Sequence, residues 1–237
     1  DFDDDPEGEV VIVRRGELFV LNHDGTLLHQ VLIPVDDDNP CTRDGDIANE
    51  SGPPTVADFD ADGRPEVATA GADFYVVFDF EGPGGPPPDG SAEGNGLRRV
   101  PNDDCAGLAT GGTVADAEGD GAAEVVYADE TQFRIFAGST GDILYEDTSH
   151  SSNTRVEMPV VVDVDNDGKS EVVIPEPNTG SADLGGIEIW EDADNNWVRT
   201  RRVWNQHSYH VTNITEDGQV PAVEEPNWRN GRLNNFR

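Results

Sequence analysis

Apolar residues fall in short runs separated by clusters of glycine, proline and aspartate. Within the runs they alternate or stand side by side, and nothing recurs at helical spacing. That pattern predicts β-strands. The clearest case is ELFVLNHDGTLLHQVLI, residues 17–33, where Asn22-His23-Asp24-Gly25 supplies the turn of a hairpin. FYVVFDF (74–80), FRIFAGSTGDILYE (133–146) and GIEIWEDADNNWVRTRRVW (186–204) read as its counterparts. Each is preceded by a Val-rich strand: EVVIV (9–13), EVATA (66–70), EVVYA (124–128) or EVVI (171–174). Three of these follow a shorter run of small and β-branched residues: PPTVAD (53–58), GGTVAD (111–116) and MPVVVD (158–163).

The grammar therefore repeats, and one acidic pattern joins the short run to the strand. Carboxylates stand at relative positions 1, 3, 5 and 9 in four copies. These are Asp1, Asp3, Asp5 and Glu9; Asp58, Asp60, Asp62 and Glu66; Asp116, Glu118, Asp120 and Glu124; and Asp163, Asp165, Asp167 and Glu171. The copies begin at residues 1, 58, 116 and 163, a period suited to a propeller or solenoid unit. Four strands per period with tight turns is the blade of a β-propeller. The expected fold is thus all-β: a β-propeller of four-stranded blades over residues 1–200, closed or capped by 201–237. Residues 81–104, rich in Gly, Pro and Asp, interrupt the grammar and read as a surface insertion rather than a strand pair. The chain opens at the first acid of a copy, without the strand that precedes the others. The expectation is that this N-terminus is not a gene start, and that the array is either part of a larger propeller or open at its edges.

Charge sharpens the reading of the acids. Forty-nine acidic residues face fifteen basic ones, a formal net charge of −34, and Lys169 is the single lysine. Nucleic acid and anionic membranes, which need a positive face, are excluded as partners. No run of apolar residues is long enough to span a bilayer. Four carboxylates crowded into nine residues repel one another unless a cation sits among them. Ca²⁺ takes six to eight oxygens in flexible geometry, and acids at 1, 3, 5 and 9 around a glycine turn at 6 supply such a set. A helix–loop–helix calcium loop needs glutamate at position 12 and helical flanks. Here position 12 is Ile12, Thr69, Tyr127 or Ile174, and the flanks are strands. Three ions are expected on the central copies and a fourth on the first, where Pro6 replaces the glycine. An Asp/Gly-rich turn without metal is the plain alternative.

The D-x-D-x-D-G-x-x-E-V-V repeats resemble the FG-GAP/VCBS repeats of integrin-like β-propellers. The tail RRVWNQHSYHVTNITEDGQVPAVEEPNWRNGRLNNFR resembles the segment that ends such arrays in large bacterial surface proteins. The resemblance implies calcium on the acids named above and an extracellular or cell-surface setting. Glu118 departs from the usual aspartate, which implies a distorted or weaker site.

Cys41 and Cys105 occupy equivalent loops upstream of two acidic copies. A disulfide between them and two unrelated free thiols are both open. His207 and His210, in NQHSYH, have the spacing of a metal pair, although packing or hydrogen bonding is the simpler use of such rings. Trp190, Trp197 and Tyr209 are expected in blade cores and seams rather than on a sugar-stacking surface. No hydrolase, nucleotide-binding or metalloprotease signature occurs. The leading expectation is a non-catalytic calcium-binding module for adhesion, assembly or ligand display, not an enzyme. Its partner would be a protein or carbohydrate at the cell surface, or copies of itself. A polysaccharide-lyase-like enzyme, a lectin, and a self-assembling fibre or surface-layer subunit are the alternatives.

Overall fold

The computed structural model describes residues 2–3, 5–36, 38, 51–81, 97–104, 110–152, 157–176 and 185–225. Fourteen strands and no helix occur among them. They form four antiparallel sheets in chain order. The first holds β1 (Val10–Arg14), β2 (Glu17–Leu21) and β3 (Leu27–Leu32). The second holds β4 (Thr55–Ala57), β5 (Glu66–Ala70), β6 (Phe74–Phe78) and β7 (Leu97–Pro101). In the third are β8 (Thr113–Ala115), β9 (Glu124–Ala128), β10 (Phe133–Ala137) and β11 (Ile143–Asp147), and in the fourth β12 (Val160–Val162), β13 (Glu171–Glu176) and β14 (Gly186–Trp190). Each sheet is a meander in which sequence neighbours pair. The short strand β8 lies beside both β4 and β12.

Three apolar layers hold successive sheets together. Leu18, Val20 and Val31 of the first sheet meet Val67, Val76 and Phe78 of the second. On its other face the second sheet sets Ala68, Ala70, Tyr75 and Val77 against Val114, Val125, Tyr127 and Phe136 of the third. The third then packs Val126, Phe133 and Ile135 on Val161, Val172 and Ile174 of the fourth. Strands β5 and β9 are buried on both faces, so every position is apolar, small or internally bonded. Two of the three aromatics expected in cores or seams lie there, and Tyr209 packs instead within the segment after β14. Trp190 and Trp197 pack at the third layer, with Trp190 against Phe133 and Tyr145, and Tyr209 is buried against Trp204.

Three expectations need correction. Among the described residues the sheets carry three, four, four and three strands, where four each were expected. Inside the segment read as a surface insertion, LRRVP at 97–101 is β7, pairing Val100 with Tyr75 and Arg98 with Val77. Its two arginines hid the strand, but each has a tertiary use: Arg99 lies over the ring of Phe74, and Arg98 reaches an acidic loop. The 186–204 stretch is not a hairpin. After β14 the chain turns at Asn195 with φ of 54°, and none of the described residues from 191 to 225 is in a strand. Instead, residues 195–202 run back across the loops before β9 and β13. The Val198 amide donates to the Ala117 carbonyl (2.8 Å), Ser170 Oγ donates to the Val198 carbonyl (2.6 Å), and the Asp163 amide donates to the Arg201 carbonyl (3.1 Å). Asp1, Cys41 and Cys105 lie outside the described residues, so the proposed disulfide does too.

Candidate metal centre: four acidic loops

The acidic loops lead into β1, β5, β9 and β13, and one hydrogen bond recurs in all four. The glutamate at position 9 accepts the amide of position 2: Phe2 to Glu9 at 2.7 Å, Phe59 to Glu66 at 2.6 Å, Ala117 to Glu124 at 2.7 Å, and Val164 to Glu171 at 2.7 Å. This bond ties the start of the loop to the start of the strand. The aspartate at position 5 accepts the amide two residues on, as Asp5, Asp62, Asp120 and Asp167 all do. In the three later loops the aspartate at position 1 gathers amides from the loop tip. Asp58 takes those of Asp62 and Gly63, Asp116 those of Gly119, Asp120 and Gly121, and Asp163 that of Asn166.

The turn needs left-handed backbone twice. Gly63, Gly121 and Gly168 at position 6 have φ of 90°, 99° and 89°, and position 4 is also left-handed at Ala61, Gly119 and Asn166. An alanine there costs about 1 kcal/mol of backbone strain, which the tip bonds must outweigh. In the first loop Pro6 holds φ near −65° and cannot make this turn. Asp5 there turns partly toward His23, whose Nδ1 is 3.5 Å from Asp5 Oδ2.

The loops differ in how far they gather their acids. Asp58, Asp60 and Asp62 each place a carboxylate oxygen within 4.8 Å of the others. Asp163, Asp165 and Glu171 do the same, as do Asp3, Asp5 and Glu9, and Asp5, Glu7 and His23 form a further group. Among the described residues, Asp116, Glu118, Asp120 and Glu124 are not gathered in this way. There the longer Glu118 replaces the aspartate at position 3, and its charge bears on Glu124.

Electrostatics follow from this crowding without a counter-ion. Burial pushes the Glu66 carboxyl up to about 8, opposed by the Phe59 amide and helped by the charges of Asp60, Asp58 and Asp62. Burial also raises Glu124 to about 8, with Glu118 and Asp116 adding to it. Asp58 and Glu171 move the same way, again mainly by burial. Buried oxygens are left over as well. Glu66 Oε1 and Asp60 Oδ1 have no hydrogen-bond partner, while Asp60 Oδ2 is held by Arg98 at 2.7 Å. Orphaned acceptors beside three gathered aspartates suit a hard cation. The residues of the 58–66 loop that could hold a metal ion are Asp58, Asp60 and Asp62, with Glu66 Oε1 buried and unpartnered in the same loop. The 163–171 loop offers Asp163, Asp165 and Glu171, with Asp167 bonded by Asn195 Nδ2 at 2.9 Å.

Neighbouring loops touch: the Ala123 amide donates to the Asp58 carbonyl at 2.9 Å, and the 195–202 segment lies between the third and fourth loops. His207 and His210 are not brought into any group of metal-ligating residues among those described. His210 pairs with Glu224 and accepts or donates at Asn213.

Sequence reasoning missed a second set of acids, at the far ends of the same strands. Asp73 accepts the Asp36 amide (2.8 Å) and Asp129 the Asp103 amide (3.0 Å), each catching the connection from the preceding sheet. At the next joint Glu176, the last residue of β13, meets His150 Nδ1 at 2.5 Å, both side chains buried. The available signal was an acid five or seven residues after the position-9 glutamate in three repeats.

No protein-family model matches the chain, and no curated protein matches its sequence. A search of solved structures finds the crystal structure of the biofilm matrix protein Bap1 of V. cholerae. The two share 25% identity and a TM-score of 0.59, over 73% of this chain and 27% of that one. This chain thus spans about a quarter of the length of that neighbour. A protein of unknown function from Bacteroides caccae overlaps 81% of the chain at 12% identity and a TM-score of 0.38. No helix of the described residues is long and apolar enough to cross a membrane.

Proposed function

We propose that this chain is a non-catalytic adhesion or assembly module working outside the cell, a propeller-type array of FG-GAP/VCBS-like repeats stiffened by calcium. The observation that carries it is the 58–66 loop. Three aspartates there converge, and buried oxygens of Glu66 and Asp60 stand without partners in a turn built again before β13. The likeness to a biofilm matrix protein supports the extracellular setting and the adhesive or assembly role. Calcium at extracellular, millimolar levels suits exposed loops of this kind. Its chemistry here is charge neutralisation, and the protein's own part is to hold the acids on a closed turn. The ligand proposed is a surface protein, a carbohydrate or another copy of the chain.

Calorimetric titration of calcium into chelator-treated protein, with unfolding followed in parallel, tests this. The expected result is binding that engages the 58–66 and 163–171 loops and raises stability, with Asp60→Asn and Asp165→Asn each removing one ion. Absence of binding and of stabilisation would refute the calcium reading and leave the acids as solvated turns.

A further inference from the structure

The repeat places equivalent residues at every joint, so the joints can be compared position by position. On the face each sheet turns to its predecessor, the residue after the position-9 glutamate is valine in all four repeats: Val10, Val67, Val125 and Val172. Two residues on stand Ile12, Thr69, Tyr127 and Ile174. On the opposite face, turned to the successor, strand pairing aligns Val20, Val77, Ile135 and Ile189, and beside them Leu18, Tyr75, Phe133 and Ile187.

Inside the three joints these positions are shut off from solvent, none more than 5% exposed. At the two ends of the array they are open. Val10 and Ile12 are 51% and 39% exposed, and Ile187 and Ile189 are 70% and 56% exposed. The first sheet thus shows only a predecessor-facing half, and the fourth only a successor-facing half. They are the two complementary halves of one more joint of the kind the chain already makes three times.

We propose that these end faces bind each other between copies of this chain, the fourth sheet of one against the first sheet of the next. A second copy offers each open face the half it lacks, and the new contact continues an interface whose fit is already present in the fold. Such a head-to-tail contact is heterologous, so it closes into a ring if the rotation between copies allows and otherwise grows into a filament. The charge of −34 on each copy opposes the approach, so association strengthens as salt screens it. This inference rests on the repeat reading of the sheets and not on the metal.

Two variants of the full chain test it by sedimentation: Val10→Asp/Ile12→Asp, which blocks the first face, and Ile187→Asp/Ile189→Asp, which blocks the last. Wild type is expected to associate with rising concentration. Each variant alone is expected to stay monomeric, since a buried unpaired carboxylate weakens a contact by ~100-fold or more. Mixed, the two variants keep one good half each and should form a dimer that grows no further. Circular dichroism checks that each folds, and Val10→Glu and Ile189→Glu alone are the substitutes if a double variant does not. A wild type that stays monomeric in concentrated salt overturns the proposal, with the faces then left to sheets of the same kind elsewhere in a longer chain. A single variant that still dimerises overturns it too, because the contact is then between like faces. Running the series with calcium and with chelator keeps the readings apart. Association of a protein that binds no calcium in the calorimetric titration sinks only the metal reading, and monomers of a protein that does bind calcium sink only this one.

Discussion

Replacing Glu66 with glutamine should change sign with the metal. Without an ion, burial holds the Glu66 carboxyl at about 8 against an ordinary 4.5, so the folded chain keeps its proton where the unfolded chain has lost it. A carboxyl raised on folding lends its stability below the unfolded value and loses it as pH climbs toward the folded one. Glutamine mimics the protonated acid at all pH values, keeps an oxygen for the Phe59 amide, and places an amide where Oε1 has no partner. In chelator the variant should therefore be more stable than wild type, by about 1.5 kcal/mol near pH 5.5 and about 4 kcal/mol near pH 7.5, at 1.36 kcal/mol per pH unit of the window. In millimolar calcium the order should invert, because the ionised glutamate gains the cation and the amide does not. Urea unfolding of both proteins at the two pH values, with chelator and with calcium, reads all four differences. A variant less stable than wild type by one constant amount in every condition would refute the reasoning: Glu66 would then be charged in the ion-free fold and would serve only to close the loop.

Calcium binding at about pH 7 should release about one proton from the 58–66 loop, because Glu66 sits at about 8. Titrations in buffers of different ionisation enthalpy measure this, and heats independent of buffer would contradict it. Gly138→Ala would set a Cβ 2.2 Å from Phe59 Cδ1 and 2.5 Å from the Ala123 carbonyl. The ring is fully buried, so a loss of about 3 kcal/mol is expected in urea unfolding, and a loss under about 1 kcal/mol would show that the site relaxes. Asp129→Ala strips acceptors from the amides of Asp103, Thr131 and Gln132 and should cost about 3 kcal/mol. Hydrogen exchange should show the Asp103 amide opening first, and unchanged protection there would remove Asp129 from the joint.

Local chemistry determined most of what could be read from the residues alone. Alternating apolar runs, small inner strands and a glycine at position 6 settle an antiparallel repeat, since strand burial and left-handed turns leave direct marks on composition. The acids at 1, 3, 5 and 9 were legible for the same reason: they stand close together in sequence, and those at positions 1, 5 and 9 of the three later copies bond amides of their own loop. Partners from other repeats were not legible. Arg98 reads as a polar residue of a Gly/Pro-rich insertion until β7 pairs with β6 and brings its guanidinium to Asp60, 38 residues away. The 186–204 stretch has the alternation of a hairpin, yet residues 195–202 find better use for their amides and carbonyls across two acidic loops than beside β14. Asp73, Asp129 and Glu176 are three among forty-nine acids in the sequence. Only packing one sheet on the next buries them and supplies the donors that a buried carboxylate requires. The same packing decides which valines are core and which are not. Val10 and Val67 occupy one repeat position, and only the presence or absence of a preceding sheet makes one exposed and the other buried.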